Sequence, residues 1–286
     1  IFFFPLNKFV GSSLIIISLI YFLKIILTSK DSIKILKIIF FSSFITFFLV
    51  YAAYINRPDA ALYHLPYVSL LHDNKIIVGA SNIHWRFGIV SNIQYLSAVL
   101  NNHFFRLEYL TLPLASIFSF FIIFLYKIFI NLQKNILNLN VVFILIMVSF
   151  YSFSRYSNYG NDAPSHIYFF LIIILYLFSN LNLNNFENNF YKISIFSVYL
   201  FTLKPFMLFI FIFPLILFIK FKKRVNLIFH KNTLICFTFL FLWILKNILT
   251  TGCVIFPISK TCIESFEHVN INYVKYFEIE GEAWAK

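Results

Sequence analysis

Apolar runs too long for a soluble core recur along this chain, and they constrain its fold more than any other feature. Phe, Ile and Leu dominate residues 9–28, 35–55, 110–132, 137–153, 165–181, 190–203, 206–219 and 233–250. A helix needs about 20 predominantly apolar residues to cross a bilayer core. Inside lipid every backbone N–H and C=O must be satisfied within the element, which leaves helices or closed barrels. The runs are continuous rather than alternating, and this excludes a barrel. Composition agrees: 60% of residues are hydrophobic and 12% charged, whereas soluble domains sit near half apolar and a quarter charged. The expected fold class is therefore all-α, a polytopic transmembrane helix bundle of about eight spans forming a single membrane domain over residues 1–286. The chain opens on Ile1 rather than Met and reads as a fragment. No cleavable signal peptide is expected, because the first run is long and leads into another span.

The formal net charge of +12 would suggest nucleic acid in a soluble protein. Here Lys220, Lys222, Lys223 and Arg224 crowd a short connection between apolar runs, which is how cytoplasmic loops look under the positive-inside rule. No Arg-rich stripe interleaved with aromatics accompanies them, so no nucleic-acid partner is expected. Lys24, Lys30, Lys34 and Lys37 make the first connection cytoplasmic. Counting onward, residues 56–108 form a large outer loop and residues 251–286 an outer polar tail. Asp59, Asp73, Glu108, Asp162, Glu264, Glu267, Glu278, Glu280 and Glu282 then face outward, leaving Asp31 and Glu187 inside. The run 190–203 is short, stops at Lys204-Pro205, and reads as a half-span or tilted helix. The spans are almost purely apolar with polar groups at their ends, so chemistry is expected at the outer face.

In the outer loop Pro58-Asp59 can start a helix. Leu62, Leu65, Val68 and Leu71 follow at three-residue spacing, as suits an amphipathic helix in the interface. Gly79 and Gly88 punctuate the loop, and residues 89–104 read as a second short helix. The loop thus holds two juxtamembrane helices.

Asp59, just after Arg57 at the mouth of a span, is the first candidate for catalysis, as a general base toward an acceptor hydroxyl. The plainer reading is a carboxylate favoured by a helix N-terminus. Asp162, in YGNDAPSH, is the second catalytic candidate, a carboxylate converging on the same outer pocket, against the alternative of a helix cap. His64, His84 and His166 show no ligand spacing of the HExxH kind, so they read as substrate-contacting or interfacial side chains and no metal ligands are assigned. Arg57, Arg86, Arg155 and Lys204 lie at outer ends of apolar segments. They either snorkel to headgroups or cradle a phosphate, a task for which Arg geometry suits. Arg86 leads this group, because His84-Trp85-Arg86-Phe87-Gly88 places a cation, two rings and a glycine together. Cys253 and Cys262 lie outside and can pair in an oxidising compartment, a link worth roughly 2–3 kcal/mol for so short a loop. Cys236 lies in a span as a small apolar residue. No Walker A, GxGxxG, GxSxG or kinase signature is present, so an ATP-driven pump has no support.

The span pair, the long first outer loop opening on Pro58-Asp59, the two juxtamembrane helices and the later outer loop with Asp162 resemble the GT-C superfamily of polytopic glycosyltransferases. RPDAALYHLP, NIHWRFG and TTGCVIFP also resemble a group of bacterial inner-membrane proteins of glycosyltransferase-like architecture. The resemblance implies sugar transfer from a polyprenyl-phosphate-linked donor to a lipid or glycan acceptor, at the periplasmic or extracellular face of the inner membrane. It puts Asp59 in the place of the first-loop catalytic carboxylate and Asp162 in that of the second acidic residue. An adjacent acidic pair or DxD is missing from the first loop, which leaves a divalent cation open as cofactor. The rival expectations are a non-enzymatic glycolipid transporter or flippase, and a surface-polysaccharide polymerase or ligase. A transporter would be marked by ionisable groups along the bilayer path.

Overall fold

A computed structural model of the chain describes residues 1–52, 60–89, 91–105, 111–132, 140, 143–144, 147–148, 159–181, 186–220 and 230–285. Arg57, Asp59, Arg155 and most of the expected span 137–153 lie outside the described residues. Among the described residues the fold is all-α with no strand. The helices are α1 (Lys8–Thr28), α2 (Ser32–Ala52), α3 (Leu65–Asp73), α4 (Asn92–Leu100), α5 (Leu112–Leu132), α6 (Asp162–Leu181), α7 (Phe186–Leu203), α8 (Ile212–Lys220), α9 (Lys231–Thr251) and α10 (Ile271–Ala285).

Of the described helices, α1 and α9 are long and apolar enough to cross a membrane, while Leu112–Ile128, Asp162–Leu177 and Pro205–Lys220 are shorter apolar helical stretches. The expectation of about eight separate spans is thus met only as an all-helical chain with two such helices. The runs 190–203 and 206–219 are two arms of a tight reversal: α7 stops at Leu203, Lys204 is extended (φ −148°), and a 3₁₀ turn over Pro205–Phe211 leads into α8, which folds back so that the Phe190 and Phe218 rings lie 6.4 Å apart. Pro205 brings no N–H and its ring clashes with a continuing helix, so the break falls there.

The long helices begin and end on recognisable caps. Val10 N–H donates to Asn7 Oδ1 at 3.0 Å to start α1, an ordinary N-cap. At the end of α9, Gly252 adopts φ +74° and its N–H donates to Ile248 O at 2.8 Å. A Cβ at Gly252 would collide with a Val269 methyl, so both the left-handed turn and the close approach demand glycine.

Two compact units make up the chain. The first contains Ile1–Pro5, Asp73–Asn92 and Leu175–Lys286; the second contains Leu6–His72 and Ile93–Ile174. In the second unit α2 packs on α5, with the Ser42 and Ser119 hydroxyls hydrogen-bonded at 2.8 Å. Leu114, Phe118, Phe121, Ile167 and Leu171 are buried along α5 and α6. The expected juxtamembrane helices of the first outer loop are α3, preceded by one π-helical turn over Ala60–His64, and α4. Val68 and Leu71 bury the predicted stripe, whereas Leu62 at its start is exposed. Facing outward, α1 and α2 expose Phe9, Ile17, Ile20, Phe40, Phe41 and Phe47. In the first unit α7 packs against α8, α9 and the 3₁₀ turn, and Phe201 meets Trp243 at 4.9 Å between ring centroids.

Candidate functional site

In the first unit the HWRFG segment folds as a 3₁₀ turn over Trp85–Gly88, held on a platform built from the end of α9, the Cys253–Cys262 loop and α10. His84 Nδ1 accepts from Arg86 N–H at 3.2 Å and so closes the start of the turn. Trp85 stacks on Phe277 of α10 with centroids 4.9 Å apart and planes 15° from parallel. The Arg86 guanidinium lies over the Trp85 ring at 4.9 Å, within range for a cation–π attraction. Gly88 is needed at the base of the turn: a Cβ there would stand 2.7 Å from the Phe256 ring. Arg86 is half-buried, with its guanidinium against the Trp85 face of this stack.

The platform is itself braced. Cys253 and Cys262 form a disulfide, and Val254 N–H donates to Thr261 O at 3.0 Å across the same loop. Ser259 N–H donates to Glu278 Oε2 at 3.1 Å, tying the loop to α10. Asn82 Nδ2 donates to His268 O at 2.8 Å, and Gly79 N–H to Leu249 O at 3.0 Å. Beside them lies an open recess of ≈ 610 Å³ lined by Asn82, Glu267, His268, Asn270 and Tyr273. Amide, carboxylate, imidazole and phenol groups of this kind hydrogen-bond hydroxyl-rich molecules. Lys204 also belongs to this unit, half-buried at the break between α7 and the following 3₁₀ turn.

The second unit holds the other described candidates. Asp162 is exposed in the first turn of α6, where a carboxylate is favoured by the helix dipole, and His166 is half-buried one turn further on. His64 is not on the surface. It is buried against Tyr63 and Tyr159, and the Gln94 side-chain amide donates to its Nδ1 at 2.7 Å. Tyr159 donates to Ser97 Oγ at 2.8 Å; burial pushes its hydroxyl well above the ordinary phenol range, and the Ser97 bond opposes this only in part. Tyr67 is likewise pushed up to about 12 by burial, opposed by its hydrogen bond with Tyr95. These phenols stay protonated at neutral pH, and the cluster works as a neutral hydrogen-bonded core. Among the described residues no group of three or more His, Cys, Asp or Glu could hold a metal ion.

Two features of the first unit escape the sequence reading. The tail 251–286 contains a 15-residue helix, α10, whose Val274 and Phe277 pack with Phe256 and Cys253. The spacing Ile271, Val274, Phe277 was its signal. The second is Lys246, buried at 5% exposure inside α9 with its Nζ 5.5 Å from the Trp243 ring centroid. A lone lysine in an apolar helical run is the signal that finds it.

No curated protein and no solved structure matches the chain. A family model described as a domain of unknown function (DUF8201) matches residues 1–286, and the chain belongs to that family.

Proposed function

We propose that the protein is a multi-pass membrane glycosyltransferase of the GT-C type. It transfers a sugar from a polyprenyl-phosphate donor to a lipid or glycan acceptor at the outer face of the bacterial inner membrane. One observation carries this reading: Arg86 is held on the Trp85–Phe277 stack and left half-accessible, close to the end of an apolar helix. A lipid-linked donor keeps its tail in the bilayer and its phosphate at headgroup depth, where a fixed guanidinium stabilises the departing phosphate. The exposed Phe and Ile of α1 and α2 support the membrane setting, and the recess beside Asn82 and Tyr273 supports a hydroxyl-rich acceptor.

In the proposed reaction the Asp59 carboxylate takes the proton of the acceptor hydroxyl. The acceptor oxygen bonds to the anomeric carbon as that carbon's bond to the phosphate oxygen breaks. The bonding pair leaves with the phosphate, and the sugar carbon is inverted. Asp162 is assigned to holding donor or acceptor. The test uses the full chain in lipid nanodiscs with radiolabelled polyprenyl-phosphate sugars and glycolipid acceptors. Label passes to the acceptor, Asp59→Asn lowers the rate on the order of 100-fold or more, and Arg86→Lys lowers it roughly tenfold. Wild-type transfer by Asp59→Asn removes the base. The carrier reading draws on one observation, the buried Lys246; labelled glycolipid crossing between leaflets with no sugar transferred would put that reading first.

A further inference from the structure

We infer that the buried end of α9 binds a phosphate-type oxyanion, with Lys246 as its counter-charge and Trp243 and Asn247 as its hydrogen-bonding groups. Lys246 is 5% exposed, and among the described residues its ammonium meets neither a carboxylate nor a hydrogen-bond acceptor, only the face of Trp243. An ammonium so placed is strongly penalised unless an anion or acceptor joins it.

A second, independent set of observations points to the same spot. Trp243 Nε1 and Asn247 Oδ1 are both buried and both lack a hydrogen-bond partner, whereas buried polar atoms in folded proteins are almost always satisfied. Trp243 and Asn247 are four residues apart, so they share one stripe of α9 with Lys246 beside it. Three groups in need of partners therefore gather within about one helical turn of α9.

Their chemistry selects the ligand. Lys246 Nζ and Trp243 Nε1–H donate, and Asn247 Oδ1 accepts, its own Nδ2 being spent on Val254 O at 3.0 Å. Dihydrogen phosphate, or a singly protonated phosphate monoester, offers several acceptor oxygens, a hydroxyl to donate and one negative charge that one lysine balances. Lys246 lies five residues before the last residue of α9, about 7.5 Å along the axis, a depth that a lipid headgroup phosphate and a free phosphate ion can both reach. The inference does not rest on sugar transfer, and a chain that transfers none still tests it.

The experiment measures thermal stability and ³¹P-NMR binding of the full chain in phosphatidylcholine nanodiscs. One arm adds inorganic phosphate; the other dopes the disc with phosphatidic acid. Wild-type protein is stabilised by one or both probes, and the arm that responds names the source. Lys246→Met binds that probe roughly tenfold or more weakly. Trp243→Phe keeps the ring, folds as the wild type does, and weakens binding several-fold, which keeps the test open if Lys246→Met fails to fold. Binding unchanged in both variants, or no response of wild type to either probe, overturns the inference.

Discussion

Helices α1 and α9 are the same length, 21 residues, and both are apolar enough to cross a membrane. What they do with their polar groups separates them. In α1 the hydroxyls of Ser13, Ser18 and Thr28 each donate to a carbonyl four residues back, at 2.8–2.9 Å, and the buried Ser12 Oγ accepts from His103 N–H at 3.2 Å. Its Ile and Leu side chains are mostly exposed, and Gly11 and Ser12 are the buried positions. In α9 Thr250 and Thr251 behave the same way, but Trp243, Lys246 and Asn247 are buried with needs the helix does not meet. Equal apolarity thus serves two ends. One helix presents a surface to its surroundings, and the other encloses a polar site at high cost.

The contrast breaks most readily at the helix ends. α1 finishes on Ser29 in extended backbone, whereas α9 finishes on Gly252 at φ +74° against Val269. Gly252→Ala forces a Cβ into both the left-handed turn and the Val269 methyl, and should cost roughly 2–4 kcal/mol. Ser29→Ala should stay within about 0.5 kcal/mol. Thermal melts in one detergent compare the two, and equal shifts would mean that the packed end of α9 is no tighter than the open end of α1.

A smaller effect, of the opposite sign, sharpens the contrast mid-helix. With no anion present, Lys246→Met replaces a buried unpaired ammonium by an apolar chain of similar length and should raise stability by about 1–2 kcal/mol. Ile20→Met on the exposed face of α1 should change it by less than about 0.5 kcal/mol. A marked loss of stability in Lys246→Met would show that the fold already satisfies the ammonium, and the difference between the helices would shrink to burial alone.

How far these differences could be read in advance depends on the range of the interactions behind them. The runs 9–28 and 233–250 sit within two residues of α1 and α9 at either end, because hydropathy and capping are local. The helix start at Asp162 and the break at Lys204-Pro205 were legible for the same reason. The burial of Lys246 was not, since a lysine near the end of an apolar run looks ready to snorkel until tertiary packing covers it. His64 was read as a substrate contact because Gln94 and Tyr159, which enclose it, lie 30 and 95 residues further on. In the tail the acids Glu278, Glu280 and Glu282 masked the apolar spacing of α10.

Glu278 supplies the smallest test, on the loop that caps α9. Hydrogen bonds from Ser259, helped by the charges of Lys260 and Lys275, hold its carboxyl below the ordinary glutamate range. A depressed carboxylate contributes stability that is complete above its unfolded pKa and lost as pH falls through its lower folded value. The tie between the disulfide loop and α10 should therefore loosen on the acid side of the glutamate range and hold at neutral pH. The side chain is close to solvent, so screening keeps the effect small. Glu278→Gln should remove this part of the acid dependence and leave the neutral melting temperature only slightly lowered. The readout is hydrogen exchange of the Ser259 amide between pH 3 and 7, a window set by the direction of the shift. Protection of that amide with the same pH profile in Glu278→Gln would assign its stability to the disulfide and to the 3₁₀ turn over Ser259–Thr261 rather than to the carboxylate.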